Sequence, residues 1–270
     1  MELERTVVVE RHIVSSIHLT RDVIINVYLP FTPTEPENLS LLLLNDGQNL
    51  EEMEFENILE KFSSTFTKPL LCVGIHCGAD RKNEYGTANI LDYKGRGTKA
   101  GKYSQFIFEE LLPFIRITYH IISFKEKSFC GFSLGGLSAL DITLDHPHEF
   151  CKVGVFSGSL WWRTLSQQDK LFDENKHRII HNKVRNSEYY PWLKFFFEVG
   201  TLDETADRNN NGIIDAIDDT QALIDELVLK GYDGEKAIKY IELSDGKHDV
   251  ATWAKALPVF LKWGWREVVP

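Results

Sequence analysis

Ser133 sits at the centre of Gly131-Phe132-Ser133-Leu134-Gly135, with glycine two places before and two places after the serine. Apolar Phe129 and Cys130 lead into this stretch, and Leu137, Leu140 and Leu144 follow at helical spacing. The pattern is that of a nucleophile elbow, a sharp strand-to-helix turn that lifts a serine oxygen clear of a sheet. Its backbone is strained, and only neighbours without a β-carbon leave room for it. The same turn aims the amide of Leu134 at an oxyanion forming beside the serine. A serine hydroxyl is a weak nucleophile until an imidazole takes its proton, and a carboxylate must hold that imidazole in one tautomer. The rest of the chain therefore has to supply a base, an acid and a second oxyanion donor.

His248 fits the base. It closes Ser244-Asp245-Gly246-Lys247-His248, which reads as a turn after the last strand-like run. In α/β-hydrolases the chain order is serine, then Asp or Glu, then histidine. The other histidines fit this order less well. His12, His18, His76 and His120 precede the elbow, His146 and His148 flank Pro147 at a helix end, and His177 and His181 fall in an irregular segment. The acid should close the penultimate strand, where Gly200-Thr201-Leu202-Asp203 offers Asp203, with Glu204 its nearest rival. The second oxyanion donor should come from the loop after Leu41–Leu44, through the backbone amide of Gln48 in Asp46-Gly47-Gln48. Each preorganised amide at a tetrahedral oxyanion contributes roughly 3 kcal/mol.

A second motif serves different chemistry. Residues 207–218 read D-x-N-x-N-G-x-I-D-x-x-D, an EF-hand-type loop. Asp207, Asn209 and Asn211 take the first, third and fifth places, Gly212 the sixth, the Ile213 carbonyl the seventh, Asp215 the ninth and Asp218 the twelfth. Such a ring of oxygens suits hard Ca²⁺. Aspartate at the twelfth place with an apolar eighth residue resembles the dockerin version. The expectation is a structural Ca²⁺ close behind Asp203, with no cofactor for catalysis, since serine chemistry needs none.

These residues must be carried by alternating elements. Thr6 to Ser16 and Arg21 to Leu29 read as strands rich in β-branched residues. Ser40 to Leu44 and Leu70 to His76 are continuous apolar runs, the mark of strands covered on both faces. Glu51 to Phe62 and Tyr103 to Tyr119 have helical character, separated by a polar loop from Gly78 to Gly101. After the elbow strand and its helix come a strand from Cys151 to Ser157, an irregular stretch from Trp161 to Pro191 that could cap the sheet, and a strand from Lys194 to Gly200. A helix from Thr220 to Lys230 closed by Gly231, a strand from Ala237 to Leu243 and a helix from Val250 to Trp265 complete the chain. The expectation is a single α/β domain over residues 1–270, with a mostly parallel eight-stranded sheet and helices on both faces. Ligands of such sheets bind beyond the carboxyl ends of the strands, where Ser133, Asp203 and His248 all fall.

The totals narrow the classes. With 30 basic against 40 acidic residues, a net charge of -10, the chain lacks the basic footprint of a nucleic-acid partner. No apolar run approaches the ~20 residues of a membrane span. The charged start Met1-Glu2-Leu3-Glu4-Arg5 leads to the expectation of no secretion signal. Cys72, Cys77, Cys130 and Cys151 lie in or beside apolar runs without metal-type spacing, as buried free thiols would. The expected compartment is cytoplasmic, and a homo-oligomer is allowed without being required.

Several stretches together resemble the putative esterase family of α/β-hydrolases, which holds esterase D, the enterochelin (trilactone siderophore) esterases, feruloyl esterases and mycolyltransferases. They are residues 44–50 (Leu-Asn-Asp-Gly-Gln-Asn-Leu), 81–85 (Arg-Lys-Asn-Glu-Tyr), 108–114, 131–140 around Ser133, 156–162 (Phe-Ser-Gly-Ser-Leu-Trp-Trp), and His248-Asp249 with Trp253. The resemblance implies an α/β-hydrolase fold and a small-molecule ester substrate of small, siderophore or aryl type, with Ser133, Asp203 and His248 as the triad. By the same analogy Asp46, Gly47, Trp161 and Trp162 would line the substrate pocket, although the two tryptophans could equally be packing. A siderophore ester would call for cations, and Arg81, Arg96 and Lys99 are available in the 78–101 loop. An acyltransferase using the same triad, and a non-catalytic binding protein on the same fold, are the alternatives.

Overall fold

The computed structural model describes residues 7–30, 39–63 and 69–265. Thr6 and the charged first five residues lie outside them. The β-branched and apolar runs form one eight-stranded sheet: β1 (Val7–Ser16), β2 (Arg21–Pro30), β3 (Ser40–Asn45), β4 (Leu70–Ile75), β5 (Glu126–Phe132), β6 (Lys152–Phe156), β7 (Lys194–Leu202) and β8 (Ile238–Lys247). Its spatial order is β1-β2-β4-β3-β5-β6-β7-β8. β1 and β2 pair antiparallel, as do β2 and β4, and every pairing from β4 to β8 is parallel. The expected α/β-hydrolase fold is therefore the observed one.

Along each central strand the side chains alternate between two cores. Leu41, Leu43, Phe129, Phe195 and Phe197 enter one, and Leu42, Leu44, Cys130, Phe132 and Phe196 enter the other. Both cores are roofed by helices: α1 (Phe55–Ser63), α2 (Arg81–Glu84), α3 (Ala100–Gln105), α4 (Leu112–Thr118), α5 (Leu134–Asp145), α6 (Glu174–His177), α7 (Ile179–Asn186), α8 (Asp215–Lys230) and α9 (Val250–Trp265). The first core is closed by Tyr103, Ile107, Leu137, Ile180 and Leu223, and the second by Phe55, Trp253, Leu257 and Phe260. None of the described helices is long and apolar enough to cross a membrane. Cys72 and Cys130 are buried, Cys77 and Cys151 partly so, and all four are free thiols.

Several boundaries differ from the sequence reading. The first helix starts at Phe55, because residues 51–54 are spent on turns. The helical stretch before the elbow contains a π-helical turn over Phe106–Leu111 just ahead of Pro113, whose missing N–H interrupts the regular ladder. α8 begins five residues earlier than read, since Asp215 and Asp218 favour the positive end of a helix. β8 runs through Ser244–Lys247, which had looked like a turn; Asp245 takes the left-handed φ of 59° and the pairing with β7 shifts there. The stretch after Trp161 carries α6 and α7, and Ile179, Ile180 and Val184 of α7 belong to the first core.

Candidate active site

All six parallel strands end on one rim, so Asp46, Cys77, Ser133, Ser157, Asp203 and His248 gather beyond their carboxyl ends. Chain order reverses about β3, with β4 on one side and β5 on the other, and this is where such sheets open a crevice. Ser133 links β5 to α5 with φ 55° and ψ -122°, the strained turn expected of an elbow. A β-carbon at Gly131 would stand 2.4 Å from the carbonyl oxygen of Gly135, so no larger residue fits. Asn45, at the tip of β3, ties the turn down: its Nδ2 donates to the Gly135 carbonyl at 2.7 Å, and the Tyr103 hydroxyl donates to its Oδ1 at 2.5 Å.

Ser133 and His248 meet across 115 residues of sequence, with His248 Nε2 2.9 Å from Ser133 Oγ. On the other side of the ring, His248 Nδ1 lies 3.5 Å from Asp203 Oδ2. That is an ion-pair approach, longer than a formed hydrogen bond. The Asp203 side chain is 1% exposed, whereas that of His248 is 41% exposed. Trp253 holds the imidazole edge-on, with ring centroids 5.3 Å apart and planes at 83°, while its Nε1 donates to Ser157 Oγ at 2.9 Å. Glu204 faces elsewhere: burial and the nearby Asp215 carboxylate push its carboxyl up, and it accepts from the Ala216 amide. The geometry joins Ser133, His248 and Asp203 and leaves Glu204 outside.

Leu134 opens α5, so its amide has no partner inside the helix. Gln48 lies in a single 3-10 turn, Gly47–Asn49, at the tip of β3. Its side chain bridges loops, with Nε2 3.3 Å from Asp46 Oδ1 and Oε1 accepting from the Cys77 amide at 3.1 Å. Asp46 and Gly47, named for the substrate pocket, are engaged with neighbouring protein groups. The Asp46 carboxylate takes two 2.7 Å bonds from Arg81, which also donates to the Phe132 carbonyl at 3.2 Å. Gly47 is packed against the backbone of Gly74, where a β-carbon would stand 2.3 Å away. This Arg81 clamp, which binds the loop after β3 to the elbow strand, was not visible as a role in the sequence. Its one signal was an arginine within a motif stretch.

The two tryptophans part company. Trp161 lines the cleft of about 130 Å³ formed with Ser157, Gly158, Asp203, Glu204, Ala216 and His248. Trp162 is fully buried and packs under the Arg96 guanidinium, 4.9 Å from its ring centroid. An adjoining cavity of about 380 Å³ shares Trp161 and Glu204 with the cleft and adds Tyr93, Lys94, Arg96 and Arg163. The cations named from the sequence are already engaged: Arg81 by Asp46, Arg96 by Asp92 and Lys99 by Asp80. Among the described residues no carboxylate pairs with Arg163, whose buried Nε lacks a partner. A cavity of about 450 Å³ between α5 and α7 lies away from Ser133, with the Lys183 ammonium at its edge spent on Asp141 and Asp145. Size alone is therefore no guide to the site.

The 207–218 loop folds around its own polar groups. Asp207 accepts from the amides of Asn211 and Gly212 at 3.1 and 2.9 Å, Asn209 Oδ1 accepts from Asn211 N at 3.1 Å, and Asn211 Oδ1 accepts from Ile213 N at 2.8 Å. The side-chain Nδ2 groups of Asn209 and Asn211 donate to Asp218 Oδ2 at 2.8 and 3.0 Å. Asp215 departs from the set. It is buried and held by the Arg208 amide at 2.8 Å and the Arg208 guanidinium at 3.2 Å. Among the described residues no three His, Cys, Asp or Glu side chains gather as a metal site. The oxygens that could surround a cation are thus those of Asp207, Asn209, Asn211, the Ile213 carbonyl and Asp218.

Comparison with known proteins agrees with this architecture. The model of a family described as "Putative esterase" matches residues 16–263. The uncharacterized protein YjcH of Bacillus subtilis (strain 168) is 22% identical over 247 residues, covering 90% of this chain and 92% of its own. The enterobactin esterase FES from Shigella flexneri superimposes with a TM-score of 0.67 at 21% identity, over 94% of this chain and 58% of that one. This chain thus spans less than two thirds of that esterase. The siderophore hydrolase EstB from Aspergillus nidulans gives a TM-score of 0.67 at 18% identity, over 96% of this chain and 95% of its own. At these identities the structural likeness establishes the fold.

Proposed function

Since the chain belongs to the Putative esterase family, we propose that it is a serine carboxylic-ester hydrolase working through Ser133, His248 and Asp203. The observation that carries the reading is the 2.9 Å approach of His248 Nε2 to Ser133 Oγ at a strained elbow. As Ser133 Oγ attacks the ester carbonyl carbon, its proton passes to His248 Nε2, and the Asp203 carboxylate stabilises the imidazolium through Nδ1–H. The carbonyl oxygen becomes an oxyanion received by the amides of Leu134 and Gln48. Its collapse expels the alcohol, which leaves with the proton from His248, and the acyl group stays on Ser133. Water then gives a proton to His248 and attacks the acyl carbon, and the acid departs as Ser133 regains its hydrogen. The whole chain reads as one catalytic domain.

The substrate is a small ester with an aromatic or anionic portion, of the aryl or siderophore kind. Trp161 offers a face for stacking beside the scissile bond, and Arg163 and Lys94 offer charge in the adjoining cavity. The named neighbours act on enterobactin and siderophores, in keeping with that class. A fluorophosphonate probe should label Ser133 with release of fluoride, and p-nitrophenyl acetate should be hydrolysed at a rate unchanged by added alcohols. An unlabelled protein would be a binding module, and acceleration by alcohols would make it an acyltransferase.

Calcium is proposed as a structural ion on Asp207, Asn209, Asn211, Ile213 and Asp218. With only two carboxylates in the set, the affinity belongs at the weak end of such loops, about 10⁻⁴–10⁻³ M. At 10 mM calcium and a dissociation constant of 10⁻⁴ M the folded state gains about 2.7 kcal/mol. The melting temperature should therefore rise by several degrees over protein in chelator, and Asp207→Ala should abolish the rise. Equal melting curves with calcium and with chelator would remove the ion.

A further inference from the structure

Glu198 lies inside β7 and is 1% exposed, and neither of its carboxyl oxygens has a hydrogen-bond partner. An isolated ionised carboxylate is rarely tolerated in such a place, because burial disfavours the charged form. The same vacancy recurs at Asp203, whose two buried oxygens also lack a hydrogen bond. The two groups are neighbours by construction. Residues two apart on a strand share a face, so Glu198 and Gly200 point the same way. A β-carbon on Gly200 would stand 2.9 Å from Asp203 Oδ1, so the Asp203 carboxylate occupies the space a side chain at 200 would fill, next to Glu198. The donors nearby are engaged elsewhere: the Ser157 amide, which bears on the Glu198 carboxyl, bonds the Glu198 carbonyl at 2.8 Å, Trp253 Nε1 is spent on Ser157 Oγ, and Phe156 and Ile241 flank Glu198 on β6 and β8. Among the described residues no lysine or arginine forms an ion pair with either carboxyl, and His248 approaches only Asp203.

We propose that Glu198 is a neutral carboxylic acid that donates its O–H to Asp203 and so fixes that carboxylate with its other oxygen toward His248. One proton between them satisfies both orphaned groups at once. Burial, reinforced by the negative Asp203, pushes the Glu198 carboxyl up to about 8, which keeps the proton in place at neutral pH. Glu198 is thus a positioning residue for the triad acid, and its role rests on the esterase reading given above.

Two variants separate this role from a packing role. Glu198→Gln keeps a neutral donor, whereas Glu198→Leu keeps volume and removes the donor. On p-nitrophenyl acetate, Glu198→Gln should stay within about threefold of wild type, and Glu198→Leu should lose 10- to 100-fold in kcat with KM within twofold. The melting temperature of Glu198→Leu should fall, because the buried Asp203 carboxylate loses its donor. Infrared spectra should show a protonated-acid carbonyl stretch in the wild type that Glu198→Gln lacks, a readout independent of turnover. A wild-type kcat in Glu198→Leu, or a loss above tenfold in Glu198→Gln, overturns the proposal even if one variant proves unstable. Wild-type protein inert to the fluorophosphonate probe would instead overturn the esterase reading itself.

Discussion

Replacing Ser133 by alanine should cut kcat for ester hydrolysis by a factor on the order of 10⁴–10⁶ while leaving the fold in place. The loss is large because the serine oxygen forms the bond that divides hydrolysis into two steps, and no neighbour can take its place. Ser159 has its hydroxyl 3.5 Å from Ser133 Oγ, but the imidazole Nε2 is hydrogen-bonded to Ser133. The stability cost should be small. The Ser133 side chain is half-buried, its hydrogen bonds among the described residues are to His248 and Ser159, and alanine at φ 55° is strained as serine is. The melting temperature should therefore stay within about 2 °C, since surface changes away from packed groups are worth less than ~0.5 kcal/mol. A Ser133→Ala enzyme retaining even a tenth of the wild-type rate on p-nitrophenyl acetate would require another nucleophile.

What could be read from the sequence, and what could not, divides along physical lines. The central strands were legible because Leu41–Leu44 and Leu70–Ile75 are buried on both faces, which makes them continuous apolar runs. The elbow was legible because its backbone excludes β-carbons, so glycine at 131 is dictated locally. His248 was legible because topology sends every parallel strand's end to one rim. Pairings between distant charges were not. Arg81 reaches Asp46 across 35 positions, and Arg178 and Arg208 both converge on buried Asp219. Nothing local in an arginine's sequence says which carboxylate will neutralise it. Trp161 and Trp162 are adjacent and chemically identical, yet one lines the cleft and the other is sealed inside, because the chain turns between them. Ser244–Lys247 looked like a turn by composition, and strand pairing with β7 overrode that local preference.

Asp203→Asn should lower kcat by about 10⁴, and Glu204→Gln should leave it within threefold. The difference follows from position. Asp203 Oδ2 lies 3.5 Å from His248 Nδ1, whereas Glu204 is turned toward Asp215 and the Ala216 amide. The 3.5 Å separation needs to close by roughly 0.6 Å to make a normal hydrogen bond, and such contacts often tighten only when substrate is bound. Asparagine spoils this in either orientation. With its amide nitrogen toward the ring it favours the tautomer that cannot accept the serine proton, and with its oxygen toward the ring it lacks the charge that steadies the imidazolium. Fold and binding should survive, since the amide is isosteric and the site stays buried, so the loss should fall on kcat with KM little changed. Near-normal turnover by Asp203→Asn would reduce the machinery to a Ser133–His248 pair, and a large loss in Glu204→Gln would transfer the acid's role to the neighbouring carboxyl.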